Sequence, residues 1–259
     1  MNEILERYTA VTHRITQAAQ RAGRNPNDIT LVAVTKTWPA ETVLAAYEAG
    51  MRQFGENRPE ELAEKRTAVE SQLGPDNGIT WHLIGTLQSR KTSLAADHAD
   101  VFHALDRLKI ANRLSSHLLE NRRLPENELS SAFRPLPSAL PVFLEVNVSG
   151  EASKSGWDMR KWENSATQRD NLRNAAETIA GLPGLHLVGL MTMAPWDAPE
   201  AEIRSVFRRT RELSMWLDAE IAVAQITQLS MGMTDDFEIA IEEGATHIRV
   251  GRAIFGSRT

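Results

Sequence analysis

A closed parallel α/β barrel, (β/α)8 of the TIM type, is the fold class this sequence predicts, on three observations. Short apolar runs alternate with helix-like stretches almost from end to end. Eight such runs can be counted, and they are apolar on both faces, as strands must be when helices cover one side and a barrel core the other. The length of 259 residues matches the roughly 250 that such a barrel takes.

The elements follow in order. Ile4, Leu5, Tyr8, Val11, Ile15, Ala18 and Ala19 recur at three- and four-residue steps, the period of one helix face, and Gly23 stops that helix. It stands ahead of the barrel as an extra N-terminal helix. The strand candidates are Leu31–Thr35, Gln53–Gly55, Trp81–Gly85, Val101–Leu105, Val142–Val148, His186–Met191, Gln228–Ser230 and His247–Val250. Between them, Glu41–Ala49, Arg58–Glu70, Lys109–Glu120, Asn171–Ala180, Glu200–Glu220 and Asp235–Glu242 read as helices. Leu124–Pro141 breaks the rhythm, with four prolines among Ser, Glu and Asn. It reads as a loop insertion ahead of the fifth strand, within one domain spanning 1–259.

Composition narrows the function classes. With 42% hydrophobic and 24% charged residues, the chain can bury a full core. A net charge of -5 advertises no broad basic face for a nucleic acid. Without cysteine there is no disulfide, thiolate metal site or cysteine nucleophile, and no H-E-x-x-H pair marks a metal site. Glu3, Glu6 and Arg7 are not followed by the apolar core of a secretory signal, and no run approaches the roughly 18 apolar residues of a membrane span. The expectation is a cytoplasmic protein with no membrane partner.

In such a barrel the active face lies at the C-terminal ends of the strands. Lys36 follows the first apolar run, Glu56 and Asn57 the second, Thr86 the third and Asp106 the fourth. Asn147 follows the fifth, Thr192 and Met193 the sixth, while Ser230 ends the seventh and Arg249 the eighth. A lone strand-end lysine is ordinarily a solvated charge. Emerging into a site, it loses solvation, which lowers its pKa and leaves neutral amine able to attack an aldehyde.

Two small-residue loops, Ser230-Met231-Gly232-Met233-Thr234 and Arg249-Val250-Gly251-Arg252, sit where barrels of this kind hold phosphate. Thr234 is read as the cap of the next helix, with Asp235 and Asp236 in its first turn, where they would repel an anion unless they face outward or the phosphate sits on the Ser230–Met231 side of the turn. Arg249 either pairs with a structural carboxylate or faces the nitrogen of a pyridine ring, which a guanidinium keeps unprotonated. His82, His103, His186 and His247 fall in strand runs and read as packed, hydrogen-bonded imidazoles. The six tryptophans read as packing residues. An amine with a phosphate cradle suits pyridoxal 5'-phosphate (PLP), and a cofactor-free aldolase also uses such an amine.

Several ordered segments resemble the pyridoxal phosphate homeostasis (YggS/PROSC) family: Leu31–Lys36, Phe54–Asn57, Trp81–Gly85 with Leu87–Ser89, Val146–Glu151, Ser153–Gly156, Gly189–Met193 and Leu229–Phe255. Two departures stand out. Thr86 replaces the family's usual histidine, and Arg58-Pro59-Glu60-Glu61 replaces Tyr-Val-Gln-Glu.

The resemblance implies a barrel related to the N-terminal domain of alanine racemases and PLP held on Lys36 as an internal aldimine. It implies phosphate on Ser230, Met231, Gly251 and Arg252, Arg249 near the ring nitrogen, Asn57 bordering the cofactor, and Met193 where the racemases stack a histidine. The function it implies is intracellular PLP (vitamin B6) homeostasis, by buffering or delivery to apo PLP-dependent enzymes, in a monomer or weak dimer with no dedicated turnover. The rival is a PLP-dependent amino-acid racemase or decarboxylase of the same fold type, which would need a second domain to supply a catalytic tyrosine. Only three residues follow Gly256, so none is expected.

Overall fold

Strands that are apolar on both faces hide those faces and pair their backbone groups by closing on themselves beneath a ring of helices. The computed structural model, which describes residues 3–121, 139–151, 155–221 and 224–257, shows that solution. Its strands are β1 (Thr30–Val34), β2 (Gln53–Glu56), β3 (Thr80–Leu83), β4 (Val101–Leu105), β5 (Leu140–Asn147), β6 (Trp157–Asp158), β7 (Leu185–Met191), β8 (Gln228–Ser230) and β9 (His247–Val250). All pairings are parallel, in the order β4-β3-β2-β1-β9-β8-β7-β5, and β4 pairs β5 to close the barrel. The two-residue β6 is an appendage on the end of β5.

The helices are α1 (Glu3–Arg21), α2 (Ala40–Glu48), α3 (Pro59–Leu73), α4 (Thr92–His98), α5 (Leu108–Asn121), α6 (Ala166–Ala180), α7 (Glu200–Glu220), α8 (Phe237–Glu242) and α9 (Arg252–Phe255). The extra helix α1 buries Val11, Ile15, Ala18 and Ala19 and is tied to α8 by Arg14–Glu238 and Arg21–Glu242 ion pairs. Among the described residues, no helix is long and apolar enough to cross a membrane.

Three local expectations are corrected and one helix is added. Thr234 caps nothing: α8 starts at Phe237, because Asp236 turns its Oδ1 back to accept the Met233 N–H at 2.5 Å. The helix expected from Asn171 begins at Ala166, where the Ser165 hydroxyl accepts the Gln168 N–H. Helix α4, which buries only Thr92, Ala95 and Ala96, spans two turns, too few for a 3.6-residue period to show. His186 is exposed near the start of β7, so it is not a packed core histidine. The greater part of the Leu124–Pro141 insertion lies outside the described residues, as do Ser153 and Lys154.

The barrel interior is more polar than the two-sided apolar pattern suggests. His82, His103 and His247 meet Phe143 there, with His103 stacked on Phe143 at 4.5 Å between ring centroids. Above this layer, at the C-terminal ends of the strands, a cleft of about 950 Å³ opens.

Candidate functional site

The cleft takes its lining at two-residue steps from strand ends: Val34 and Lys36, Glu145, Met191 and Met193, Arg249 and Gly251. Asn57 and Thr86 join them after β2 and β3. That period puts one row of each strand into the cleft.

Lys36 lies two residues beyond β1, in a turn rather than on the strand, and is half-buried. The backbone on both sides of it is held from α3. Lys65 Nζ donates to the Thr35 carbonyl at 2.7 Å and to Glu56 Oε1 at 2.7 Å, while the Thr35 hydroxyl donates to the same carboxylate oxygen at 2.6 Å. On the far side, the Thr37 N–H donates to Glu61 Oε1 at 2.9 Å. Thr37 has φ 67°, a costly left-handed conformation for a β-branched residue. Glu56 is therefore a structural partner of Lys65, fully buried. Glu61 braces the Lys36 turn.

The two small-residue loops stand beside this turn. The β1–β9 register sets Ala33 opposite Val250, and a Cβ on Gly251 would lie 3.1 Å from the Val34 carbonyl oxygen. Gly232 has φ 95°, and a Cβ there would meet the Ala240 Cβ at 2.6 Å, so only glycine fits the turn against α8. Met233, Thr234, Asp235 and Asp236 line the cleft from this side, as do Gly251 and Arg252 from the other. Neither aspartate faces an anion unpartnered: Asp235 pairs with Arg252, and Asp236 accepts from Met233.

Ser230 and Met231 are fully buried and do not line the cleft. The Met231 N–H is committed to the His247 carbonyl at 3.0 Å. The Ser230 hydroxyl lies 2.7 Å from both His103 Nδ1 and Arg249 Nη1.

Arg249 is 5% exposed and is held by the Ser230 carbonyl and hydroxyl through Nη1 and by the Thr192 carbonyl through Nη2 at 3.0 Å. Burial pulls its pKa down to about 10, with Asp236 and Glu145 opposing, so it is a fixed cation at neutral pH. Thr192 itself is locked by its hydroxyl on the Val146 carbonyl, and Asn147 folds onto the 149–151 turn through the Gly150 N–H and the Glu151 carbonyl. Neither of those two strand-end residues lines the cleft.

Two members of the site went unnoticed in the sequence. Glu145 is 3% exposed, lines the cleft, and has Oε2 without a hydrogen-bond partner among the described residues. Burial and the Asp106 charge push its pKa up to about 7, against the pull of Arg249. A carboxylate between Leu144 and Val146, two residues before Asn147, was the available signal. Trp196, 73% exposed at the rim with the Arg252 guanidinium 5.7 Å from its ring, is not a packing residue. No spacing pattern distinguishes it.

The sequence matches the family model for alanine racemase, N-terminal domain, over residues 7–259. Pyridoxal phosphate homeostasis proteins from Pseudomonas aeruginosa and Escherichia coli are 41% and 38% identical, each across 100% of this chain and 97% and 98% of their own lengths. PipY of Synechococcus elongatus, solved with PLP bound, superposes with a TM-score of 0.75 at 30% identity, covering 98% of this chain and 100% of PipY. Alanine racemase from Corynebacterium glutamicum shares the fold at 17% identity and a TM-score of 0.60, over 96% of this chain and 61% of the racemase. The chain belongs to the alanine racemase N-terminal domain family and, within it, to the pyridoxal phosphate homeostasis proteins.

Proposed function

We propose that this protein holds pyridoxal 5'-phosphate through Lys36 and serves cytoplasmic vitamin B6 homeostasis, buffering the cofactor or delivering it to apo enzymes. The observation that carries this reading is the convergence of the Lys36 side chain, the buried Arg249 cation and the Gly251–Arg252 turn on one cleft. The residues fit the group: an amine, a permanent cation and a turn where backbone approaches backbone too closely for any Cβ to be added freely.

When bound, PLP supplies an aldehyde that condenses with a primary amine and a ring that withdraws electrons. This chain does the rest. The turn held by Lys65 and Glu61 aims the Lys36 amine. Gly251 and Arg252, with the Met233–Thr234 turn opposite, would hold the phosphate, and the Arg252–Asp235 pair cancels charge that would oppose it. Arg249 keeps its proton and would face the ring nitrogen. Asn57 and Met193, which line the same cleft, would border the cofactor, and Met193, a thioether, cannot move a proton. A single barrel domain, as monomer or weak dimer, suffices for this role. The racemase or decarboxylase reading is not favoured, since the relatives matched along their full length carry the homeostasis name.

Purified protein is expected to be yellow, to bleach with borohydride, and then to retain the cofactor covalently on Lys36 by peptide mass. Lys36→Ala should abolish that adduct. A colourless wild type that takes up no PLP, or an adduct that survives Lys36→Ala, would refute the assignment. Failure of loaded protein to restore a PLP-dependent apoenzyme would remove delivery and leave buffering.

A further inference from the structure

A continuous hydrogen-bonded row crosses the barrel beneath the cleft, and its chemistry allows only one direction. It runs from Gln53 on β2 through His82 on β3 and His103 on β4 to Ser230 on β8 and Arg249 on β9. The spacings are 2.7 Å from Gln53 Oε1 to His82 Nε2, 2.9 Å from His82 Nδ1 to His103 Nε2, and 2.7 Å from His103 Nδ1 to Ser230 Oγ. Arg249 Nη1 closes the row 2.7 Å from the same hydroxyl oxygen. His82, His103 and Ser230 are buried and Arg249 nearly so.

Start at the arginine. A guanidinium only donates, so Ser230 Oγ accepts from Arg249 and its own proton must go elsewhere. A hydroxyl can accept twice, so it is the far end of the row that sends this proton to His103 Nδ1: Gln53 Oε1 only accepts, which puts a proton on His82 Nε2 and leaves Nδ1 of each neutral imidazole as the acceptor. A neutral imidazole that accepts at Nδ1 carries its proton at Nε2, which donates to His82 Nδ1. The same logic gives His82 its proton at Nε2, and that proton meets the Gln53 carbonyl oxygen. Donor and acceptor counts thus agree from both ends. Burial holds both imidazoles neutral: the His82 pKa is lowered to about 3 and that of His103 falls well below the ordinary value, with neighbouring histidines adding to the effect.

We propose that Gln53, His82 and His103 form a directional relay that turns the Ser230 hydroxyl away from the cleft, making Ser230 a positioning residue for Arg249 and not a phosphate ligand. The row explains why a serine and two histidines occupy inward places that an aliphatic core would otherwise fill. It gives Arg249 a fixed acceptor, so that the guanidinium presents one orientation to whatever lies above it. Only the identity of that occupant rests on the PLP reading; the relay stands without it.

Nitrogen-15 NMR of the wild-type histidine side chains, without cofactor, tests the relay directly. His82 and His103 should both carry Nε2–H and stay neutral between about pH 5 and 8. An Nδ1–H tautomer at His103, or an imidazolium at either residue in that range, would overturn it. Ser230→Ala tests the role, read by affinity for PLP and for pyridoxal, which lacks the phosphate. Loss of a hydrogen bond to a charged group should weaken both ligands by about tenfold alike. Weakening confined to PLP would make Ser230 a phosphate ligand and sink the positioning role, and undiminished binding of both would sink it too. If Ser230→Ala does not fold, the wild-type tautomers decide. Binding of neither ligand by wild-type protein, with the tautomers as stated, would refute the PLP reading and leave the relay standing.

Discussion

Glu145 brings a carboxyl into a cleft wall where, among the described residues, Oε2 finds no hydrogen-bond donor. Its pKa of about 7 has a thermodynamic consequence whose sign can be worked out. Below pH 4.5, its ordinary value, the carboxyl is protonated in folded and unfolded chains alike, and no charge is buried. Between 4.5 and about 7 the unfolded chain ionises first, so stability falls as pH rises, and the loss is complete above 7. At 1.36 kcal/mol per unit, the loss is on the order of 3 kcal/mol. Glu145→Gln is therefore expected to be more stable than wild type at pH 8 by up to that amount and no more stable at pH 4, by urea unfolding at both values. A gain that does not depend on pH would assign the effect to packing. The same titration changes the cleft's charge near neutrality, since Glu145 and Arg249 oppose each other there.

At the scale of elements, helix α3 does more than cover β2. Two of its side chains four residues apart, Glu61 and Lys65, reach the two backbone positions that flank Lys36. Glu56 and Lys65 are both buried, and removing one partner of such a pair leaves the other's charge uncompensated. Lys65→Met should destabilise the fold by about 3–5 kcal/mol, whereas Lys65→Met combined with Glu56→Leu should recover much of the loss. A double-mutant cycle by chemical denaturation measures this, and additive single effects would show that the pair is not coupled. Because Lys65 also holds the Thr35 carbonyl, the single variant should loosen the Lys36 turn as well. The sequence announced α3 only as the helix-like stretch Arg58–Glu70 between two apolar runs. Its bracing of the lysine after β1 was illegible, because Glu61 and Lys65 look like ordinary charges on an exposed helix face.

Across the whole molecule, histidines from three strands converge in one layer with Phe143 from a fourth. Burial, aided by neighbouring positive groups, lowers His82 to about 3 and His247 to about 4, with His103 also well below 6.5. Groups depressed in the folded state add stability that is present above 6.5 and lost as pH falls toward 3, since the unfolded chain takes up protons that the fold refuses. Unfolding free energies in the Glu145→Gln background should decline steadily below pH 6.5, and a profile flat from there to pH 4 would contradict the buried neutral layer. Alternating apolar runs and helical periods determined the barrel, its strand order and the strand ends at which Lys36, Asn57, Met193, Arg249 and Gly251 would meet, because those features depend on local periodicity and on the few ways parallel strands close. Which of the strand-end polar groups face the cleft was decided only in three dimensions. Ser230 and Met231 turned inward to serve Arg249 and the β8–β9 pairing, and Glu145 turned from a strand interior into the cleft wall. A side chain's partner is set by residues up to a hundred or more positions away, as His103 and Ser230 are, and only closure of the barrel brings such donors and acceptors within reach.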